Sequence, residues 1–158
     1  MVLFEDGLEK IKNPNDVNII KPAPTQTGLI ALFARINNGE AIQLSLPQGE
    51  STFSVEPIYY LSKAMSSLYW SDFAIIRSEM AINKTHLTRL CYVDMNKKRV
   101  MTYACFDDGK IIKLYNPTRK YFFKKFKVEI EQECEMEFED ITNEVIANAK
   151  NDTDELIN

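Results

Sequence analysis

The densest chemistry in this chain of 158 residues lies in a thirteen-residue stretch near its C-terminus, Phe126 to Phe138. Glutamates at 129, 131, 133, 135 and 137 alternate there with Val128, Ile130, Gln132, Cys134 and Met136, and Glu139 continues the series. On a strand, successive side chains point to opposite faces. The alternation therefore predicts a long antiparallel strand with its apolar side turned inward and a row of carboxylates in water. Same-face neighbours would stand roughly 6.5–7 Å apart, wide for a single metal ion to bridge. A row of that kind suits long-range attraction of a basic protein partner. Glu129, Glu131, Glu133 and Glu135 are the expected contact residues, against the plainer reading of a solvated face partly paired with Lys98, Arg99, Lys110 or Lys113.

A second constellation precedes it. Arg119, Lys120, Tyr121, Phe123, Lys124, Lys125 and Lys127 interleave cations with aromatic rings. Single-stranded nucleic acid needs that combination, rings to stack on bases and charges to hold phosphates. Strand parity places Phe122 with Phe126 in the core and leaves Tyr121 and Phe123 on the lysine-bearing face. Charge is divided sharply here. Residues 97–127 hold ten basic and two acidic side chains, whereas residues 128–158 hold eleven acidic side chains and one lysine. Such asymmetry points to an interaction surface more than the net charge of −4 does.

Other chemistries find little support. His86 is the only histidine, so a two-histidine phosphoesterase site and a histidine metal cluster are both excluded. Cys91, Cys105 and Cys134 form no CxxC pair and sit in apolar surroundings, which suits free buried thiols in a reducing compartment. Dinucleotide, phosphate-loop and nucleophile-elbow motifs are absent. An enzyme would have to rely on carboxylates such as Asp72 or Glu79, in a pocket beside Trp70 or Tyr103. Neither a cofactor nor a metal is expected.

The elements that must position these residues follow from periodicity and turn residues. Phe4, Leu8 and Ile11 have helical spacing, and Asn13-Pro14-Asn15-Asp16 would end that helix. Val17–Ile20 reads as a short edge strand, and 21–27, with Pro22 and Pro24, as an extended linker. Residues 28–36 and 41–46 flank Asn37-Asn38-Gly39 and predict a hairpin. Pro57 opens the clearest helix, 57–68, with Ile58, Leu61, Ala64, Met65 and Leu68 on one stripe. A run of antiparallel strands should follow at 69–82, 85–94, 99–106 and 111–115, turning at Asn83-Lys84, Asp108-Gly109 and Asn116-Pro117-Thr118. Ile141, Val145, Ile146 and Ala149 suggest a closing helix over 140–150.

The hydrophobic fraction of 45% and charged fraction of 27% are those of an ordinary globular protein. The expected architecture is one α+β domain over residues 1–150. It would be a curved, hairpin-rich antiparallel sheet with a central helix on one face, short terminal helices and an N-terminal arm over 1–27. Residues 151–158 would form a flexible acidic tail. No apolar run is long enough to span a bilayer and no leader pattern opens the chain, so a cytoplasmic location without a membrane is expected. The functional expectation is a non-enzymatic binding module, of the size and mild acidity of bacterial or phage accessory proteins such as inhibitors, immunity proteins or chaperones. The alternatives are a single-strand nucleic acid binder using 119–127 and a carboxylate-based enzyme.

Overall fold

The computed structural model describes residues 11, 13–44, 72–77, 79–95 and 98–144. The helices expected at 4–11 and 57–68, Trp70 and the tail 151–158 lie outside these residues, apart from Ile11. The fold is α+β, as the pattern of elements predicts: nine strands in two sheets and one long helix, among the described residues. The chain divides into two compact units, Met1–Thr85 and His86–Asn158.

In the first unit, strands β1 (Val17–Pro24), β2 (Ile30–Ile36), β3 (Ala41–Gln43), β4 (Phe73–Ile76) and β5 (Met80–Asn83) form a sheet in the order β3-β2-β1-β5-β4. β1 is thus the central strand, not an edge. It runs on through the prolines because β5 reaches only Ile19 and Ile20. Beyond that point β1 has a neighbour on one side only, where a missing N–H does little harm. The hairpin about Asn38 forms as expected, with Asn38 itself left-handed at φ 56°. Of the long strand expected over 69–82, residues 69–71 lie outside the described residues, and the rest forms two short strands. Arg77 adopts φ 51° and the Glu79 amide donates to the Ile76 carbonyl at 2.9 Å, closing a tight turn without glycine, asparagine or proline. Val17, Ile20, Leu32, Ala34, Leu44, Phe73 and Ala81 pack as this unit's core. Asn83, fully buried, donates to the Val17 carbonyl at 2.9 Å and so satisfies its side-chain amide where water cannot reach.

In the second unit, β6 (Leu87–Asp94), β7 (Arg99–Phe106) and β8 (Ile111–Arg119) form an antiparallel meander. The chain then crosses the sheet as helix α1 (Lys120–Cys134) and returns as β9 (Phe138–Asp140), parallel to β6, giving the order β8-β7-β6-β9. β8 extends through Pro117 to Arg119, whereas the sequence suggested a turn there. Proline is tolerated because β8 is an edge strand and its register shifts at that position.

Helix α1 overturns the central sequence expectation. Lys120–Cys134 is helical, not the first part of a long strand. The reason is visible in spacing. Phe126, Ile130 and Cys134 are four apart, so they satisfy both a two-residue alternation and a helical stripe. Phe123 extends the stripe by three residues, and all four are buried. Val128 and Gln132 separate the two readings: a strand would bury them, and both are exposed. Lysine, glutamate and glutamine also favour helix over strand. Of the whole alternation only Phe138 lies in a strand, where β9 begins. Similarly, Asp140 belongs to β9, and helical structure resumes only at 142–144, beyond which the expected closing helix lies outside the described residues.

The solvent face of one helix as the candidate functional site

Three rings fix α1 to the sheet. Phe123 lies 5.0 Å from Tyr92 of β6 and 5.7 Å from Phe138 of β9, and Phe126 lies 4.8 Å from Tyr115 of β8, between ring centroids. Tilted and edge-on rings at these separations are favourable beyond the area they bury. Ile130, without exposed surface, completes the seam. At the C-terminus Glu135 takes the left-handed conformation (φ 55°, ψ 41°) that glycine more often supplies, and the Met136 amide donates to the Glu131 carbonyl at 3.1 Å.

Seating the helix this way sorts the expected site residues differently from a strand. The four glutamates do not make one row. Glu129 and Glu133, four apart, share an exposed flank, while Glu135 sits at the helix end. Glu131 is committed inward. One of its oxygens meets Lys127 Nζ at 3.0 Å, and the other accepts the Phe138 amide at 2.7 Å, tying the helix to the start of β9. The cation that pairs with the acidic return strand is Arg89, which nothing in the sequence marked. Its guanidinium lies 3.0 Å from Glu139 and 3.3 Å from Glu144, which raises its pKa further. Among the expected partners, Lys110 pairs instead with Asp108 at 3.8 Å, and Arg99 donates to the Pro117 carbonyl.

The basic and aromatic stretch is rearranged as well. Phe123 is buried, and Phe122, expected in the core, is 53% exposed. Tyr121 is 64% exposed, with the Lys125 ammonium 4.5 Å from its ring centre. Lys120 pairs with Asp94 at 2.7 Å. Arg119 is the helix N-cap and makes no side-chain capping bond. No acidic residue lies in the first helical turn and no basic residue in the last. The charges of α1 therefore run against its dipole, positive at the positive end and negative at the negative end.

One flank of the helix borders a cleft of about 410 Å³ lined by Tyr92, Asp94, Lys120, Lys124, Lys127 and Asp140, with Val100 and Phe123 at its apolar wall. Its charges are largely satisfied internally. Asp140 accepts from the Thr142 hydroxyl and the Thr142 amide, which holds its carboxyl below the usual range. Burial and the nearby Asp140 carboxylate push the Tyr92 phenol up. The carboxylates considered for catalysis are not brought together. Asp72 precedes β4 and Glu79 precedes β5, at opposite ends of that hairpin. Tyr103 is buried against Cys91 and Ile141. Among the described residues no three His, Cys, Asp or Glu side chains gather to hold a metal ion, and no helix is long and apolar enough to cross a membrane.

No protein-family model, curated protein or solved structure matches this chain.

Proposed function

We propose that this chain is a protein-binding module and that the solvent face of α1 is its contact surface. One observation carries this reading. Five large apolar side chains stand exposed among the described residues, and three of them, Tyr121, Phe122 and Val128, lie on this helix. Water-exposed rings and aliphatic groups gathered on one element, rimmed by charge, are the makings of a protein interface. The partner suited to such a face offers apolar surface edged by charges of both signs, since Lys125 and then Glu129 and Glu133 follow one another along the exposed side. That differs from the uniformly basic partner a carboxylate row would call for.

Binding of single-stranded nucleic acid is less well supported. It needs several rings and unengaged cations along one groove. Phe123 is buried, while Lys120 and Lys127 are held by Asp94 and Glu131.

A photo-reactive benzophenone side chain in place of Val128 tests the proposal. Irradiated in extract of the native host, the chain is expected to give a discrete protein adduct that Tyr121→Asp with Phe122→Asp removes. No protein adduct, or adducts with nucleic acid alone, would contradict it.

A further inference from the structure

We infer that a second copy of the same chain occupies this face, with the two α1 helices packed antiparallel about a twofold axis near Val128. The inference rests on the protein-binding reading above and names the partner. Tyr121, Lys125, Val128 and Gln132 recur at steps of four, three and four, so they form one stripe, and all four are exposed. Glu129 and Glu133 are exposed along one edge of it.

An interface between identical copies must be self-complementary: whatever residue i meets on its partner, the partner's copy of i meets in return. The stripe has that property only when reversed. A twofold axis at Val128 sets the two valines together. It places Lys125 of each copy between Glu129 and Glu133 of the other, two residues to either side of the facing position. Parallel packing would set lysine on lysine and glutamate on glutamate instead. The reversed arrangement also answers the feature that α1 bears alone at a cost. Its cations stand at the positive end of the helix dipole and its carboxylates at the negative end. An antiparallel neighbour brings opposite charge and an opposed dipole to both ends. Tyr121 of each copy then covers the chain around Glu135 and Met136 of the other, removing its ring from water.

A helix of this length spans about 22 Å, and a stable interface covers roughly 800 Å² on each partner. The pair of helices alone therefore makes a weak dimer that charge can switch. Sedimentation equilibrium of the full chain over a hundredfold range of concentration should show the average mass climbing from one chain toward two. Lys125→Glu makes the edge wholly acidic, and Glu129→Lys with Glu133→Lys makes it wholly basic. Each variant should stay monomeric at the highest concentration, and an equimolar mixture of the two should dimerise. The mixture guards against misfolding, because a chain that has failed to fold is not rescued by another variant. A wild-type chain that stays monomeric, variants that dimerise like the wild type, or a mixture that remains monomeric each overturns the inference. If the wild type is monomeric while the photo-adduct with a different protein persists, self-association falls and the module reading stands. If both are missing, both fall.

Discussion

At the scale of single residues, the two thiols of the β6–β7 pair show what cross-strand register does to chemistry. Cys91 and Cys105 sit diagonally on adjacent strands with their sulfurs 3.8 Å apart, and Arg89 lies directly opposite Cys105. The Cys91 S–H donates to Cys105, and the Arg89 guanidinium adds its field, so Cys105 ionises more readily than an ordinary thiol despite partial burial. Cys91 moves the opposite way, because losing its proton would forfeit that hydrogen bond and it is fully buried. Alkylation follows the thiolate, whose fraction rises with pH and saturates above the pKa. A lowered pKa brings saturation at lower pH. Iodoacetamide should therefore modify Cys105 first, with a rate that levels off below the pH of a free cysteine, about 8.5. Peptide mapping by mass spectrometry checks this, and faster labelling of Cys91 or Cys134 would contradict it. The sequence showed three thiols in apolar strands. It did not show that two of them touch, since that depends on pairing 14 residues apart.

At the scale of elements, the strands of the second unit were legible and its helix was not. β7 runs over Arg99–Phe106, the span its alternation and flanking turns predict. The Asp108-Gly109 turn holds too, with Gly109 at φ 86°. Alternation hides helix α1 because every fourth residue of an alternating run also falls on one side of a helix. The decisive signals were present and outweighed: Val128 fits the strand alternation, whereas Phe123, a polar Gln132 where a strand would bury it, and the run of lysines and glutamates fit a helix. The break at Arg77 left no such trace, because an arginine in the left-handed region is set by the hairpin around it, not by its own preference. The two valine and isoleucine positions of α1 separate the readings energetically. Ile130→Ala should destabilise the chain by about 2–5 kcal/mol, the cost of a cavity in a packed core. Val128→Ala should stay within about 0.5 kcal/mol. Denaturant titration measures both. Comparable losses would mean that both side chains are buried, as on the inward face of a strand.

At the scale of the whole molecule, the charge asymmetry of the sequence has a different meaning from the one its strand reading suggested. Net charge is small, yet positive charge gathers before Lys127 and negative charge after it. On a strand this would set a basic strip beside an acidic sheet face. The helix boundary at Lys120 folds the change of sign into one element, so a single exposed face carries both charges with apolar groups between them. The proposed surface was therefore half legible: its stretch of chain stands out in the sequence, whereas which of its side chains face water depends on the helix. Phe122, a core position by strand parity, lies outside with Tyr121, while Phe123 and Glu131 turn inward. Adjacent residues with opposite fates offer the most direct measurement. Hydroxyl-radical footprinting of the isolated chain, read residue by residue from peptide fragmentation, compares oxidation of Phe122 with that of Phe123. An outward face on α1 predicts that Phe122 reacts several-fold faster and Phe123 is protected; protection of Phe122 with a reactive Phe123 would contradict it.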